Sequence, residues 1–523
     1  MTSSDEIGLE RSRSQSLGEI VARNARRNPD AVALVFEQSS LTYARLDERV
    51  NRLANALADR GVGRGDKVAV LMYNRLEFVE SLLACHKLGA CPVPVNFRLV
   101  ATELAYLLAN SDSVGILTDA DLLPLAEETV QQVPGIGFVL AAGTDGHVSY
   151  EDALAAAAPV APEVVVEDTE IALLMYTSGT TGQPKGAMLT HRGLLANTVN
   201  WILEMGATSD DVWLSGLPLF HIGGINGFLP FLYLGATSVI TASLGFDPTE
   251  ALEKLEEHRA TMCYFVPTQW DGICDVAAGS THDTSRLRRG LWGASQAPVA
   301  VLQKIASTFP DVGIVNAFGQ TEMSSNTCFL KPADALRKRG SVGRPLINVE
   351  YRVVDVDGLD VKPGEVGEIV YRGPTVMAGY YKNPAATQET FRGGWMHSGD
   401  LVLQDDEGYL YVVDRTKDMI ISGGENIYPA EVERALAEHP AVRDVSVFGV
   451  SHPRWVETPV AAVVVARGAE RPTQEELVRF VQGRLASYKK PSAVVFVDEL
   501  PRNASGKVLK RSLRDSYSDL FAL

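Results

Sequence analysis

Apolar residues recur at two different spacings along this chain, and the texture changes near residue 345. From about residue 17 to residue 115, helical periodicity alternates with short continuous apolar runs, the pattern of helices packed on buried strands. Apolar positions recur at helical spacing from Leu41 through Leu57, with Thr42 three residues ahead of Arg45. Lys67 to Met72 then reads as a buried strand, and Ile171 to Met175 as another. In Asp247-Pro-Thr-Glu250, a capping Asp, a Pro at the first helical position and a Glu at the third mark a helix start. Thr261 to Val266 follows as a strand. Such alternation over several hundred residues indicates α/β layers with largely parallel sheets.

Beyond residue 345, short strands separated by glycine turns dominate: Val349 to Val354, Gly367 to Tyr371 and Tyr409 to Val413. The last hundred or so residues read as a small α+β domain. Its strands are Asp444 to Val450 and Val460 to Val465; its helices are Pro429 to Glu438 and one capped by Thr473 with Glu476 three residues on. An acidic, Ala/Val/Pro-rich connector runs from Ala155 to Asp168.

Composition narrows the class. A chain of 523 residues is too long for one core. Its 46 % hydrophobic and 22 % charged residues are those of a globular protein, and a net charge of −17 argues against nucleic acid as a standing partner. The most apolar stretch, Phe228 to Ile240, is interrupted by Pro230 and Gly235 and falls short of a membrane span. Cys85, Cys91, Cys263, Cys274 and Cys328 are scattered, as befits buried thiols in a reducing compartment. Met1 to Ser16 has no apolar core for a signal peptide, so a cytoplasmic protein is expected.

Candidate chemistry sits in five segments. Leu174-Met-Tyr-Thr-Ser-Gly-Thr-Thr-Gly-Gln-Pro-Lys-Gly186 packs hydroxyls and unshielded backbone amides behind a strand and adds Lys185, which suits a loop around phosphate oxygens. Its spacing is not that of a Walker A loop. Asn316-Ala-Phe-Gly-Gln-Thr-Glu-Met323 sets a ring for a purine, a hydroxyl for a phosphate and a carboxylate for a hard cation around one glycine. Trp395-Met-His-Ser-Gly-Asp400, followed by Asp414, Arg415, Lys417 and Asp418, offers a carboxylate for two ribose hydroxyls and a permanent cation beside it. Ile421-Ser-Gly-Gly-Glu-Asn-Ile-Tyr-Pro429 is a tight glycine hairpin, and Leu500-Pro-Arg-Asn-Ala-Ser-Gly-Lys507 carries a lysine just after a Ser-Gly turn.

In this order and spacing the segments resemble the adenylate-forming enzymes, from about residue 17 to residue 515. Ser422 to Glu431 is most similar to the acyl-CoA synthetase branch. The resemblance implies a large N-terminal domain, residues 1–416, of layered α/β subdomains with a small β-barrel-like part. It also implies a small mobile C-terminal domain, residues 417–523, with Lys417 as hinge. It further implies an acid:CoA ligase using ATP, Mg²⁺ and coenzyme A. Thr177, Ser178, Gly179, Thr180, Thr181, Gly182 and Lys185 would hold the β- and γ-phosphates. Gly293, Ala294 and Ser295 would border the adenine, Phe318 would flank it, and Thr321 would meet the α-phosphate. Glu322 would hold magnesium, Asp400 the ribose with Arg415 beside it, and Lys507 would reach the α-phosphate and the substrate carboxylate. Gly423 and Gly424 would line a pantetheine channel with His221 at its mouth, and Trp455, Tyr488 and Lys490 would receive the CoA nucleotide.

Two positions depart from the family pattern: Ala317 where Gly is common, and Val456 where Gly is usual, which bears on thioester formation. Ser295 and Gln296 lengthen a segment that should form a specificity wall. The walls read as small and apolar, favouring an aliphatic or bulky hydrophobic acid. A carrier protein is the alternative acyl acceptor, a catalytically inert nucleotide-binding regulator the alternative class, and a homodimer is allowed.

Overall fold

The computed structural model describes residues 4–13, 15–146, 148–177, 183–293, 297–422, 425–453, 455–482, 484–502 and 508–521. The chain forms two compact units: residues 1–350 with 372–394, and residues 351–371 with 395–523.

Six parallel neighbours form the centre of a nine-stranded sheet in the first unit: Val32–Phe36, Thr237–Ile240, Val212–Ser215, Met262–Tyr264, Arg289–Gly293 and Gly313–Gln320. Parallel strands covered on both faces need continuous apolar side chains, and Leu34, Leu214, Cys263 and Leu291 have no exposed surface. A second, four-stranded parallel sheet holds Cys91–Pro94, Lys67–Leu71, Ser113–Asp119 and Phe138–Ala142. The third is antiparallel, with Lys185–Thr190 between Ile171–Thr177 and Gly379–Tyr380.

Local signals set the element ends. Thr42 accepts the amide of Arg45 at 3.2 Å and opens the helix Tyr43–Ala58. Asp247 accepts from Thr249 at 2.7 Å ahead of Pro248–Glu257. The strand expected over 261–266 stops at Tyr264, because Pro267 opens a helix and the Val266 amide donates to the Gln269 side chain at 3.0 Å. The apolar run from Phe228 is divided between the buried helix Ile222–Leu234 and the strand Thr237–Ile240, with Gly235 at φ 81° between them. No helix of the described residues is long and apolar enough to cross a membrane, and all five cysteines are buried and free.

In the second unit the strands Glu350–Val354, Val366–Arg372, Trp395–Gln404 and Leu410–Arg415 belong to one sheet. A further sheet orders Glu425–Ile427, Ile420–Ser422, Val456–Val465 and Val442–His452, with Ala493–Phe496 parallel to Val456–Val465. Its alternating residues build cores on both faces: Val447, Ala461 and Val463 pack with Leu436 and Leu477, and Phe448, Val460 and Ala462 with Leu513. Thr473 and Glu476 cap the helix Gln474–Gln482 reciprocally, at 2.7 and 3.1 Å.

Candidate active site

Ligands of open parallel sheets bind at the carboxyl ends of the strands. In the nine-stranded sheet that edge carries Gly216 to His221, Tyr264, Gly293, and the run from Phe318 to Glu322.

The antiparallel three-stranded sheet brings the first group together. Thr177 and Lys185 stand opposite each other in register, and the loop residues Ser178, Gly179, Thr180, Thr181 and Gly182 between them lie outside the described residues. Tyr380, on the neighbouring short strand, donates its hydroxyl to Glu322 Oε1 at 2.9 Å, and the Thr177 hydroxyl is 3.5 Å from the same oxygen. The Lys185 ammonium lies 5.3 Å from the centre of the Tyr380 ring, within cation–π range. A backbone bond from the Met377 amide to the Glu322 carbonyl, 2.8 Å, fixes the two segments. Glu322 Oε2 has no hydrogen-bond partner among the described residues, so a carboxylate oxygen is available to a hard cation. No cluster of three metal-ligating side chains exists among those residues. The available carboxylate oxygen fits Mg²⁺, which binds through one or two carboxylates together with substrate phosphates.

Thr321 begins the short 3₁₀ turn Thr321–Met323, which ends with Ser324 and Ser325 at φ 56° and 107°. Positive φ at two serines is backbone strain, and it clusters here beside Glu322. Gly293 pairs with Ala317, and a Cβ at 293 would stand 2.2 Å from the Ala317 carbonyl and 2.3 Å from the Tyr264 hydroxyl. Only glycine fits. Ala294, Ser295 and Gln296 lie outside the described residues. Phe318 is partly buried on the same strand as Gln320, whose Nε2 is buried without a hydrogen-bond partner.

His221 precedes the helix Ile222–Leu234 without capping it, its ring tilted over Phe220 at 4.3 Å. Phe220 in turn meets Phe97 edge-on at 5.2 Å, and Phe97 meets Tyr73 at 4.8 Å. Burial, with Arg98 nearby, pushes His221 down to about 4, so its imidazole is neutral near pH 7.

In the second unit, the strands Trp395–Gln404 and Leu410–Arg415 place Asp400 opposite Arg415. Their side chains pair at 2.7 Å, with Asp400 buried. Ser398 and Gly399, the latter at φ 72°, sit at a register shift within the strand just before it, and the Asp400 amide donates to the Ser398 hydroxyl at 3.0 Å. Lys417 is exposed on the turn after Arg415. Trp455 and Tyr488 are exposed, on separate turns of the C-terminal sheet, and Lys490 follows the Tyr488 turn. There Lys489 is held by Glu431 at 2.7 Å. Gly423, Gly424 and Lys507 lie outside the described residues.

Two residues escaped the sequence reading. Tyr380 sits 58 positions from Glu322, and the pairing of Gly379–Tyr380 with Lys185–Thr190, with the Met377 backbone bond, joins them. Tyr264 was visible only as a strand residue.

The first unit thus carries the paired strands of Thr177 and Lys185 and an available carboxylate oxygen on Glu322, and the second carries the buried Asp400–Arg415 pair. The chain belongs to the AMP-binding enzyme family, whose description matches residues 21–381, with the AMP-binding enzyme C-terminal domain matching 431–507. It is 42 % identical to a feruloyl-CoA synthase of Amycolatopsis over 97 % of this chain and all of that one. It is 39 % identical to an indoleacetate–CoA ligase of Aromatoleum aromaticum over 95 % and 97 % of the two chains. Among solved structures, o-succinylbenzoate CoA synthetase from Bacillus subtilis in complex with its acyl-adenylate superposes with a TM-score of 0.84 at 34 % identity, covering 95 % of this chain and 98 % of that one. The same enzyme has been solved with AMP and with ATP and magnesium. The protein is therefore an AMP-forming acid:CoA ligase that uses ATP, Mg²⁺ and CoA.

Proposed function

We propose that this ligase activates an aromatic carboxylic acid. The observation that carries the reading is the set of rings at the carboxyl edge of the nine-stranded sheet: Phe220 tilted against His221, then Tyr264 and Phe318. Gly223 and Gly224 lie in the first turn of the helix beside them, where Gly224 lets the Pro218 backbone pack closely. The relatives' names, feruloyl and indoleacetate, support an aromatic acid over the aliphatic one that the sequence left open.

In this reading an oxygen of the substrate carboxylate attacks the α-phosphorus of ATP, and the α–β bond breaks to release pyrophosphate. Thr177, Lys185 and the glycine loop hold the leaving phosphates, Thr321 meets the α-phosphate, and Phe318 flanks the adenine. Asp400 and Arg415 take the ribose, and Lys507 steadies charge at the reacting centre. Glu322 would hold magnesium, whose chemistry there would be to offset phosphate charge. The CoA sulfur then attacks the acyl carbon and AMP leaves. For that step we assign Lys417 as hinge between residues 1–416 and 417–523. Gly423, Gly424 and His221 line the thiol's path, and Trp455, Tyr488 and Lys490 meet the CoA nucleotide.

The test is ATP–pyrophosphate exchange with a panel of aromatic and aliphatic acids, followed by mass detection of the CoA thioester. Aromatic acids are expected to lead the panel. An aliphatic acid turned over better than every aromatic one, or acylation of a carrier protein without CoA thioester, sinks the reading.

A further inference from the structure

The turn that carries Thr321 and Glu322 is strained, with Ser324 and Ser325 at φ 56° and 107°. Such a conformation persists only where its surroundings over-determine it. Contacts from distant segments hold this one. The Met377 amide donates to the Glu322 carbonyl at 2.8 Å, and the Ser324 hydroxyl to the Thr375 carbonyl at 2.8 Å. A further hold comes from the helix His191–Met205. There Asn197, with no exposed surface, donates through Nδ2 to the carbonyls of Asn326 at 2.7 Å and Met323 at 3.3 Å. Gly193, one turn earlier on the same face, lets the helix come this close: a Cβ there would stand 2.8 Å from the Ser324 hydroxyl.

Hydrogen-bond chemistry fixes which way the amide points. Backbone carbonyls only accept, so Asn197 must give them its nitrogen and turn Oδ1 away. That oxygen accepts from Asn226 Nδ2 at 2.7 Å, on the helix Ile222–Leu234 that opens after His221. Asn226 is thereby locked as well, and its own Oδ1 is buried without a partner among the described residues. An unsatisfied buried acceptor costs stability, and apolar side chains would fill the space between the two helices without that cost. They could not bond the carbonyls of the turn.

We infer that Asn197, oriented by Asn226, is a positioning residue for adenylation: it holds the backbone of the turn so that the Thr321 hydroxyl and the Glu322 carboxylate keep their aim. The inference rests on the roles assigned to Thr321 and Glu322 above and supplies the support behind them. Residues that orient a metal ligand from outside typically matter by about 10–100-fold in metal affinity or activity. Small displacements of groups at the reacting centre act with similar force.

The experiment uses the full-length enzyme with Asn197→Ala and Asn226→Ala, melting temperature being measured first. Mn²⁺, which shares the oxygen-ligand preference of Mg²⁺, serves as a paramagnetic probe, and its binding to the enzyme with ATP is titrated by electron paramagnetic resonance without turnover. Pyrophosphate exchange with the best acid of the panel then supplies kcat and KM. Asn197→Ala is expected to weaken Mn²⁺ binding and to lower kcat, each by about tenfold or more, with KM for the acid within about twofold. Asn226→Ala keeps both bonds to the turn but frees the amide to rotate, so it should show a smaller loss of the same kind; it decides the matter if Asn197→Ala does not fold. Variants that lose melting temperature while Mn²⁺ binding and kcat stay at wild-type values overturn the proposal, because the pair then only holds two helices together. Glu322→Gln separates this from failure of the site assignment. Wild-type Mn²⁺ binding in Glu322→Gln removes that assignment and the proposal with it. Loss of binding there, beside intact binding in both asparagine variants, overturns the proposal alone.

Discussion

The two units treat their polar groups in opposite ways. Among the described residues, all seven buried side-chain nitrogens and oxygens without a hydrogen-bond partner lie in the first unit, Gln320 Nε2 and Thr375 Oγ1 among them. The second unit satisfies its buried polar atoms internally. Asp400 is paired with Arg415, and Asp414 accepts the amides of Arg415 at 2.7 Å and Ala430 at 2.8 Å. An unpartnered group costs stability, and a sheet of nine strands with an apolar core can carry that cost. The smaller unit instead holds its buried Asp400 carboxylate in place with a resident cation, Arg415. Glu322 Oε2 in the first unit has no hydrogen-bond partner among the described residues, whereas Asp400 in the second is already paired.

This contrast predicts different consequences for two isosteric changes. Glu322→Gln keeps an acceptor for the Tyr380 hydroxyl and removes a charge whose Oε2 has no hydrogen-bond partner among the described residues. Adenylation should fall by about a hundredfold or more, with a melting temperature close to that of the wild type. Asp400→Asn leaves the Arg415 guanidinium without its partner, so it should lower the melting temperature and raise KM for ATP together. Calorimetry alongside pyrophosphate exchange decides the matter: equal destabilisation by both variants would erase the distinction between the units.

Gly293→Ala attacks the first unit's site through its backbone. The new methyl meets the Ala317 carbonyl at 2.2 Å, and a carbonyl in a strand cannot yield as a flexible side chain does. Overpacking of this kind costs about 1–3 kcal/mol. A variant that melts and reacts like the wild type would show that the strands 289–293 and 313–320 adjust more freely than their pairing implies.

Much of this was written locally in the chain. Thr42, Asp247 and the Thr473–Glu476 pair announce helix starts because a cap acts over three residues. Parallel strands showed as continuous apolar runs because both faces are covered. Asp400 and Arg415 were read side by side, and the paired strands put the two in register. What stayed hidden depends on contacts between distant segments. Tyr380 becomes a site residue through a two-residue strand, and Tyr264 through the missing side chain of Gly293. The glycine was noticed as part of a wall; the hydroxyl it admits was not.

The first unit also buries histidines. His86 donates through Nε2 to the Ala172 carbonyl at 2.8 Å, its Nδ1 has no partner, and burial lowers it to about 4. His191, edge-on at 5.1 Å, is held well below its usual range, first by burial and then by His86. Unfolded histidines protonate near pH 6.5, so between 6.5 and 4 the unfolded chain binds more protons than the folded one. Stability is therefore full above pH 6.5 and declines as pH falls toward 4. At pH 5.5 His86 alone accounts for about 1.4 kcal/mol. His86→Gln keeps a donor for Ala172 without titrating and should flatten melting temperature against pH across this window. An unchanged slope would remove the histidine from the account.

The smallest effect belongs to the second unit, where Val456 is the one group that strains against the pattern of satisfied pairing. It stands at φ 71°, a conformation that is a genuine outlier for a β-branched residue, and its side chain is 75 % exposed. The strain has a geometric source: Val456 opens a strand that pairs with His452 in one direction and with Ser422 in the other. The left-handed conformation costs an L-residue about 1–2 kcal/mol, and no burial offsets it here. Val456→Gly removes that cost but adds freedom to the unfolded chain, roughly 0.5–1 kcal/mol. The expected result is a net gain of roughly 0.5–1 kcal/mol in the second unit, measured by denaturant unfolding. Ser422 immediately precedes the glycine pair assigned to the thiol's path, so relief at 456 also bears on thioester formation. Measuring both half-reactions in Val456→Gly separates the two roles. A gain in stability with neither rate changed makes the valine a strained turn residue only. A faster thioester step with adenylation unaltered makes it a brake on the second half-reaction.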